Sequence, residues 1–311
     1  MRELRRDGET HSSVSGNESM KEFRMKRLLG YLFIGIMISG CFSDAPKSKH
    51  KVIFVSILPL KYFADKIVGS NFKVEVTVPP GAGPETYAPT PKQMMMLSEA
   101  QAYFSIGYLG FEQVWLENYR SSNPNLKVFA TSKRIDLIKD EHQDDPEHLK
   151  GVDPHIWSSP KTARLIAENI YNGMMQIDPE NGDTYLKNLN ALFAEIAKTD
   201  STVTELLART TSKKFIIFHP ALGYFARDYG LEQLSIEFEG KVPSPKHLQT
   251  IIDAAKSGQI RIVLIQKEFD KRNAEIIARE TGSQILQIDP LDYNWPDQMI
   301  DIARKISGVP Q

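Results

Sequence analysis

The sequence predicts an α/β protein of two lobes, each built on a parallel sheet, joined by a long helix and enclosing a cleft. Two observations favour this fold class. Short apolar runs alternate with helical patterns in both halves of the chain, which is typical of parallel sheets covered by helices. Between the halves, apolar residues recur at helical spacing over about thirty residues, enough for a helix of roughly 45 Å.

Composition and charge narrow the functional classes. The chain has 311 residues, 41% of them hydrophobic and 25% charged, which is typical of a globular protein with room for two cores. Its formal net charge of -1 gives no basis for binding nucleic acid, which requires a clustered basic surface. The single cysteine excludes an intrachain disulfide and a zinc site built on several thiolates.

The N-terminal segment has the pattern of a secretory signal. Basic residues precede an apolar stretch, Leu28 to Gly40, that is too short for a comfortable membrane span. The stretch ends in Ile38-Ser39-Gly40-Cys41, which resembles the lipobox of bacterial lipoproteins. Cys41 is therefore the predicted lipidation site and mature N-terminus. The alternative is a short N-terminal anchor with a buried free cysteine.

We assign residues 1–40 to this signal region and residues 41–51 to a polar tether. The residues before Met20 are polar and unpatterned, which indicates that translation starts at Met20 or Met25 rather than at the first residue. Neither segment enters the predicted fold.

Residues 52–178 are predicted to form the first lobe. A cluster of breakers, Pro79 to Pro84, starts a loop after the second strand. Thr90 and Pro91 then begin a helix, as its N-cap and first helical residue. The predicted strands are Val52–Ile57, Phe72–Val78, Ala102–Ile106 and Leu126–Ala130.

Residues 179–210 are predicted to form the connecting helix, either as one element or as two helices broken near Asp200-Ser201-Thr202. Residues 211–311 are predicted to form the second lobe, which repeats the alternation of the first. Its predicted strands are Phe215–Phe218, Gln233–Ile236, Ile260–Ile265 and Gln284–Ile288.

Four side chains with metal-binding chemistry occur in the predicted loops: Glu85, His155, His219 and Asp289. His219 and Asp289 directly follow strands, and Glu85 lies in the loop after the second strand. Ligands of open α/β sheets bind beyond the carboxyl ends of the strands, so the four side chains could converge only across the cleft. Imidazole and carboxylate together suit Zn²⁺, Mn²⁺ or Fe²⁺. The alternative is that each side chain is satisfied by the backbone.

Several segments, in order along nearly the whole predicted mature chain, match one known family. They are Ser56–Leu60, Pro84–Pro91, Asp153–Trp157, Phe218–Phe225, Tyr229–Leu231, Glu239-Gly240, Pro243–Lys246 and Ile288–Leu291. From Val52 onward the chain thus resembles the zinc-binding receptors of bacterial ABC importers, whose TroA-like fold has a helical backbone between two lobes.

The resemblance implies His155, His219 and Asp289 as ligands of a metal ion, most directly Zn²⁺. The remaining family ligand is a histidine after a proline, and Glu85 stands at that position here. Either the Glu85 carboxylate binds the ion directly, or the ion has three protein ligands and water. Manganese receptors of the same fold use two imidazoles and two carboxylates, so the oxygen ligand moves the site toward Mn²⁺ or Fe²⁺.

The segment Asp140–His148 is acidic and contains His142 and His148. Zinc receptors of this family often carry a loop rich in histidine and acidic residues in about this region. The segment is either a solvated acidic loop or a source of an accessory ligand, with one of the two histidines completing the coordination.

The resemblance implies a receptor, not an enzyme, that captures the ion outside the cytoplasmic membrane. It would act as a lipid-anchored monomer and deliver the ion to an ABC permease and its ATPase. A metal-dependent hydrolase and an adhesin lipoprotein are the alternatives, although no HExxH motif is present and four protein ligands leave little room for a substrate. Because both imidazoles must lose their protons to bind, we expect metal affinity to fall below about pH 6.

Overall fold

The computed structural model describes four stretches of the chain, residues 51–139, 151–210, 212–237 and 243–308. Cys41, His142 and His148 lie outside the described residues. Within these stretches the chain forms two parallel-sheet lobes and a long helix between them in sequence, which confirms the predicted fold class. None of the helices in these stretches is both long and apolar enough to cross a membrane.

The first lobe contains four parallel strands and three helices. These are β1 (Val52–Val55), α1 (Leu58–Val68), β2 (Lys73–Val76), α2 (Pro91–Leu97), β3 (Ala102–Ser105), α3 (Gly110–Ser122) and β4 (Lys127–Ala130). The strand order is β2-β1-β3-β4. Residues 53–55 of β1 are fully buried, as expected for a strand covered on both faces. Helix α2 begins as predicted, because the Thr90 hydroxyl accepts a hydrogen bond from the Gln93 N–H at 3.3 Å.

Two longer helices follow β4 along the chain, α4 (Pro160–Ile177) and α5 (Gly182–Leu207). Helix α5 is continuous through residues 200–202, so the single connecting helix is the correct alternative. Its 26 residues span about 39 Å. The buried side chains on its inner stripe include Leu189, Leu192 and Ile196. This stripe allows α5 to pack against α1 and α4 and also against the last helix of the second lobe.

The second lobe repeats the topology of the first. Its elements are β5 (Lys214–Ile217), α6 (Gly223–Tyr229), β6 (Glu232–Ser235), α7 (Pro245–Ser257), β7 (Ile262–Gln266), α8 (Arg272–Thr281), β8 (Gln284–Ile288) and α9 (Trp295–Ser307). All paired strands are parallel, in the order β6-β5-β7-β8. In each lobe the chain therefore reverses its direction of winding beside the first strand, where ligands of such sheets bind.

Buried tryptophans join the two lobes. The Trp157 indole N–H donates to the Pro290 carbonyl at 2.9 Å, and the Trp295 indole N–H donates to the Trp157 carbonyl at 2.7 Å. Both rings are 1% exposed, so these two hydrogen bonds are shielded from water. At the surface, the Tyr293 hydroxyl donates to Asp65 of α1 at 3.0 Å. The segment that follows β8 is thus anchored to the first lobe at several points.

Glu112 of α3 is a fully buried carboxylate at the carboxyl end of the first sheet. It accepts hydrogen bonds from the Ser56 hydroxyl and from the N–H groups of Ile106 (2.9 Å), Gly107 (2.6 Å) and Leu109 (3.4 Å). One side chain therefore joins the ends of β1 and β3 to the start of α3. Burial raises the pKa of Glu112 to about 7, although the four donors act to lower it.

Replacing Glu112 with alanine should lower the free energy of unfolding by about 3 kcal/mol, because buried donors lose their acceptor. Urea denaturation followed by circular dichroism measures this change. Glu117→Ala on the same helix is the matched control, since that side chain is 79% exposed and its loss should change stability by less than about 0.5 kcal/mol. Equal unfolding midpoints for the two variants would contradict the role assigned to Glu112.

Candidate metal centre

Three of the four predicted ligands meet between the lobes. The Nε2 atoms of His155 and His219 lie 3.2 Å apart, and the His219 Nε2 lies 3.3 Å from the Glu85 Oε1. One ligand atom from each of these three side chains lies within 4.8 Å of the others. The side chains of His155 and His219 are 8% and 13% exposed, whereas Glu85 is 47% exposed. The group is therefore open to solvent on the side of the carboxylate.

The spacing of these atoms fits a tetrahedral ion. Two ligand atoms that are each about 2.05 Å from zinc, at an angle of about 109°, lie about 3.3 Å apart. The observed 3.2 Å between the two imidazole nitrogens and 3.3 Å between imidazole and carboxylate match this value. Two of the three pairs of ligand atoms thus already have the separation that a tetrahedral zinc site requires.

His219 is held at the carboxyl end of β5 by three neighbours. The Gln266 side chain accepts from the His219 N–H at 3.3 Å and donates to the His219 carbonyl at 2.8 Å. The Glu237 carboxylate lies 3.1 Å from the His219 Nδ1. The Phe269 ring stacks on the imidazole with 5.2 Å between ring centroids. The backbone of His219, the Nδ1 edge of its ring and one face of the ring are therefore all fixed. The His219 Nε2 atom consequently points toward His155.

His155 is oriented by a carboxylate from its own segment. The Asp153 Oδ1 accepts from the His155 N–H at 2.9 Å and lies 2.7 Å from the His155 Nδ1. The Tyr224 hydroxyl of α6 donates to the Asp153 carbonyl at 2.8 Å. A Cβ atom at Gly223 would lie 2.3 Å from the Asp153 Oδ2, so any other residue there would have to displace this carboxylate. The second lobe thus helps to place a ligand of the first.

In both histidines the Nδ1 edge faces a carboxylate and the Nε2 edge faces the other ring. This carboxylate–histidine arrangement orients metal-binding imidazoles in proteins, because it directs the Nε2 lone pair toward the ion. The chemistry that the group can perform is therefore the coordination of a cation by two nitrogens and one oxygen.

Glu85 is positioned by the first turn of α3. The Phe111 N–H donates to the Pro84 carbonyl at 3.3 Å, and a Cβ at Gly110 would lie 2.4 Å from the Glu85 carbonyl oxygen. The absence of a side chain at Gly110 therefore lets the loop after β2 approach closely. Burial acts to raise the pKa of Glu85, but the neighbouring His219 outweighs it and lowers the pKa below the usual range.

Asp289 stands apart from this group in the described part of the chain. Its Oδ2 atom forms an ion pair with Lys267, and its Oδ1 atom accepts from the Leu291 N–H at 3.2 Å. Asp289 and Lys267 directly follow β8 and β7, which are neighbours in the sheet. The structure places Asp289 at the cleft, as predicted, with its carboxylate engaged by a lysine.

Three residues of the site were not predicted from the sequence: Glu237, Gln266 and Lys267. Asp153 was predicted only as part of a motif. Lys267 directly follows a strand, and Glu237 lies two residues after one. His219 and Asp289 were predicted because they are polar residues just after a strand. The same pattern could therefore have indicated Lys267 and Glu237.

Burial alone would lower the pKa of His219, but the carboxylates of Glu237 and Glu85 outweigh burial and raise the pKa to about 9. The ring therefore carries a proton at neutral pH when no metal is bound, and a metal ion has to displace it. Proton binding at His219 therefore competes with metal binding and adds to the expected loss of affinity as the pH falls.

Comparison with known proteins gives consistent matches. A family model described as ZnuA, zinc-uptake complex component A, periplasmic, matches residues 53–307. The high-affinity zinc uptake system protein ZnuA of Bacillus subtilis is 26% identical over 275 residues, which covers 83% of this chain and 85% of that protein.

Solved structures show the same fold. A crystal structure of ZnuA is 38% identical, with a TM-score of 0.78, and the match covers 83% of this chain and 98% of that chain. A manganese-bound mutant of a periplasmic metal-binding protein from Candidatus Liberibacter asiaticus is 20% identical, with a TM-score of 0.73 and coverage of 83% and 98%. The second likeness shows the fold alone.

We expect His219 in the metal-free protein to titrate with a pKa near 9, measured by NMR of the imidazole ring. Glu237→Gln should lower this pKa, because a neutral amide replaces an attracting carboxylate. Since the folded pKa lies above the unfolded value, the corresponding stability of the metal-free fold is full below about pH 6.5 and is lost as the pH rises through about 9. A pKa near 6.5 in both proteins would contradict the geometry described for Glu237.

Proposed function

Since the chain belongs to the family of zinc-uptake complex component A, we propose that it captures a divalent transition metal ion, first of all Zn²⁺, outside the cytoplasmic membrane. It then delivers this ion to the permease of an ABC importer and its ATPase. The family is one of substrate-binding receptors and not of enzymes, so the ion is cargo that the protein releases unchanged.

One observation carries the proposal. The Nε2 atoms of His155 and His219 lie 3.2 Å apart although they come from different lobes. Each ring is held from behind by a carboxylate, Asp153 or Glu237. Without a metal ion, a proton on one of these nitrogens can be shared with the other, and a cation that displaces this proton binds both nitrogens at once.

We propose Glu85, His155 and His219 as the ligands that first engage the ion. The carboxylate of Glu85 takes the role that the family gives to a histidine, and its 3.3 Å distance from the His219 Nε2 supports direct coordination. Asp289 is the proposed fourth ligand, once its carboxylate separates from Lys267. His142 and His148 remain proposed accessory ligands.

Zn²⁺ is the first candidate because the ligand spacing fits a tetrahedral site and two of the near ligands are nitrogens. Mn²⁺ and Fe²⁺ are the alternatives, because two carboxylates in a set of four add hard oxygen donors that these ions accept.

The capture step is physical. An ion held by residues of both lobes stabilises the arrangement in which they face each other. The hydrogen bonds of Trp157 with Pro290 and Trp295 already join the lobes beneath the site, and α5 packs against both. We therefore propose that binding orders side chains and loops and does not close a wide hinge.

We further propose that the chain acts as a monomer held at a bacterial membrane by a lipid on Cys41. Residues 1–40 would be removed as a signal and residues 41–51 would serve as the tether. The lobes would comprise residues 52–178 and 211–311, with the connecting helix at 179–210. The extracytoplasmic location agrees with the family, whose members are periplasmic receptors.

Competition between Zn²⁺ and Mn²⁺, followed by native mass spectrometry, should show one bound ion with a preference for zinc. Glu85→Ala should weaken zinc binding by about a hundredfold, because it removes a proposed ligand. Even the loss of a residue that only hydrogen-bonds to a metal ligand lowers metal affinity by about 10–100-fold. Glu85→His should keep zinc binding and weaken manganese binding, because it replaces an oxygen donor with nitrogen. Glu117→Ala is the control with unchanged binding. Unchanged zinc affinity in Glu85→Ala would show that Glu85 is not a ligand.

Deleting the gene from its host should reduce zinc accumulation by the cells at limiting supply. The intact chain should restore uptake, whereas a folded double variant, His155→Ala with His219→Ala, should not, because it lacks both imidazole ligands. Radiolabelled zinc uptake measures the difference, and circular dichroism checks the fold. Full uptake with the double variant would favour an adhesin or structural lipoprotein instead.

A further inference from the structure

Asp289 can become a ligand only after its ion pair with Lys267 opens, so the origin of this pair bears on capture. Gln266, at the end of β7, pairs with Ile288, at the end of β8. Lys267 directly follows Gln266, and Asp289 directly follows Ile288. The register of the two strands therefore places the Lys267 ammonium beside the Asp289 carboxylate. The pair is thus a consequence of strand register and not of a chance encounter of surface side chains.

Both oxygens of Asp289 are engaged in this arrangement. Lys267 contacts Oδ2, and the Leu291 N–H donates to Oδ1 at 3.2 Å. The Asp289 side chain is 14% exposed, so water screens the pair only partly. A metal ion that takes Oδ2 as a ligand competes with the ammonium for this oxygen, because two cations in contact with one carboxylate oxygen repel each other.

Lys267 has space into which it can withdraw. Its side chain is 41% exposed and borders a cavity of about 190 Å³ between the lobes. Residues 78–82 of the first lobe line one side of this cavity. Glu268 and Asp292 of the second lobe also line it. Water and these two carboxylates offer the ammonium new partners after it leaves Asp289.

We propose that Lys267 is a built-in competitor of the metal ion: its ammonium group occupies the fourth ligand, and capture requires its displacement. This inference rests on the proposed function of metal capture. The same competition assists release, because Lys267 returns to Asp289 as the ion departs and so removes one ligand from the site. Lys267 thereby sets the affinity of the receptor without being a ligand.

Zinc affinity of the purified protein, measured by competition with a chromophoric chelator at fixed pH and ionic strength, tests this proposal. Lys267→Gln should bind zinc about tenfold more tightly, because a partly exposed charged pair no longer has to be broken. Lys267→Arg keeps a cation at the same place and should bind zinc as the wild type does. Asp289→Asn should bind more weakly, because it lacks the fourth ligand.

The double variant of Lys267→Gln and Asp289→Asn separates competition from the general effect of removing a positive charge. If Lys267 acts through Asp289, the double variant should have the affinity of Asp289→Asn alone. The proposal is overturned if Lys267→Gln does not tighten binding, or if it tightens binding equally in the Asp289→Asn background.

Failure of the proposed function would look different. In that case the wild-type protein would not bind zinc, or it would bind zinc with an affinity that His155→Ala and His219→Ala leave unchanged. If the wild-type protein binds zinc through both histidines and Lys267→Gln does not bind zinc more tightly, the proposed metal capture stands. Only the competing role of Lys267 is then wrong.

Discussion

The structure of the site depends on one constraint: two imidazoles from different lobes are held with their Nε2 atoms face to face. Asp153 and Glu237 impose this by occupying the Nδ1 edge of each ring. Two neutral rings in this arrangement repel through their lone pairs, and a protonated His219 partly relieves the repulsion. The fold therefore holds nitrogen donors in place before any ion arrives, so less of the binding energy is lost in ordering them.

The scaffold beneath the site explains how the donors stay aligned. The long helix α5 packs on helices of both lobes, and Trp157 exchanges hydrogen bonds with the segment after β8. Glu112 performs a similar task within the first lobe, where it connects two strand ends to the helix whose first residues support Glu85. These contacts are buried, so they persist whether or not the cleft contains an ion.

Much of the fold could be predicted from the sequence, because apolar runs and helical spacing are local signals. Whether the connecting helix breaks could not be predicted. Polar residues 200–202 weaken the local helical preference, but the flanking buried residues Thr199 and Val203 pack and maintain the helix. At the site, a position after a strand selected His219 and Asp289. The partners of these two residues, Glu237 beside His219 and Lys267 beside Asp289, depend on strand register and on contacts between distant segments. Their roles were therefore not predicted from the sequence.

The contact between Gly223 and Asp153 shows how far the two halves of the molecule depend on each other. Gly223, at the start of α6 in the second lobe, limits the space for the Asp153 carboxylate. This carboxylate orients the His155 ring in the first lobe. The first half produced alone would retain its sheet but would lose the contacts of Tyr224 and Gly223 that position Asp153 behind His155. A chimaera that exchanged one half with that of a relative would have to transfer residues 153 and 223 as a matched pair. Recombination within such a receptor is thus restricted by the fit of one glycine.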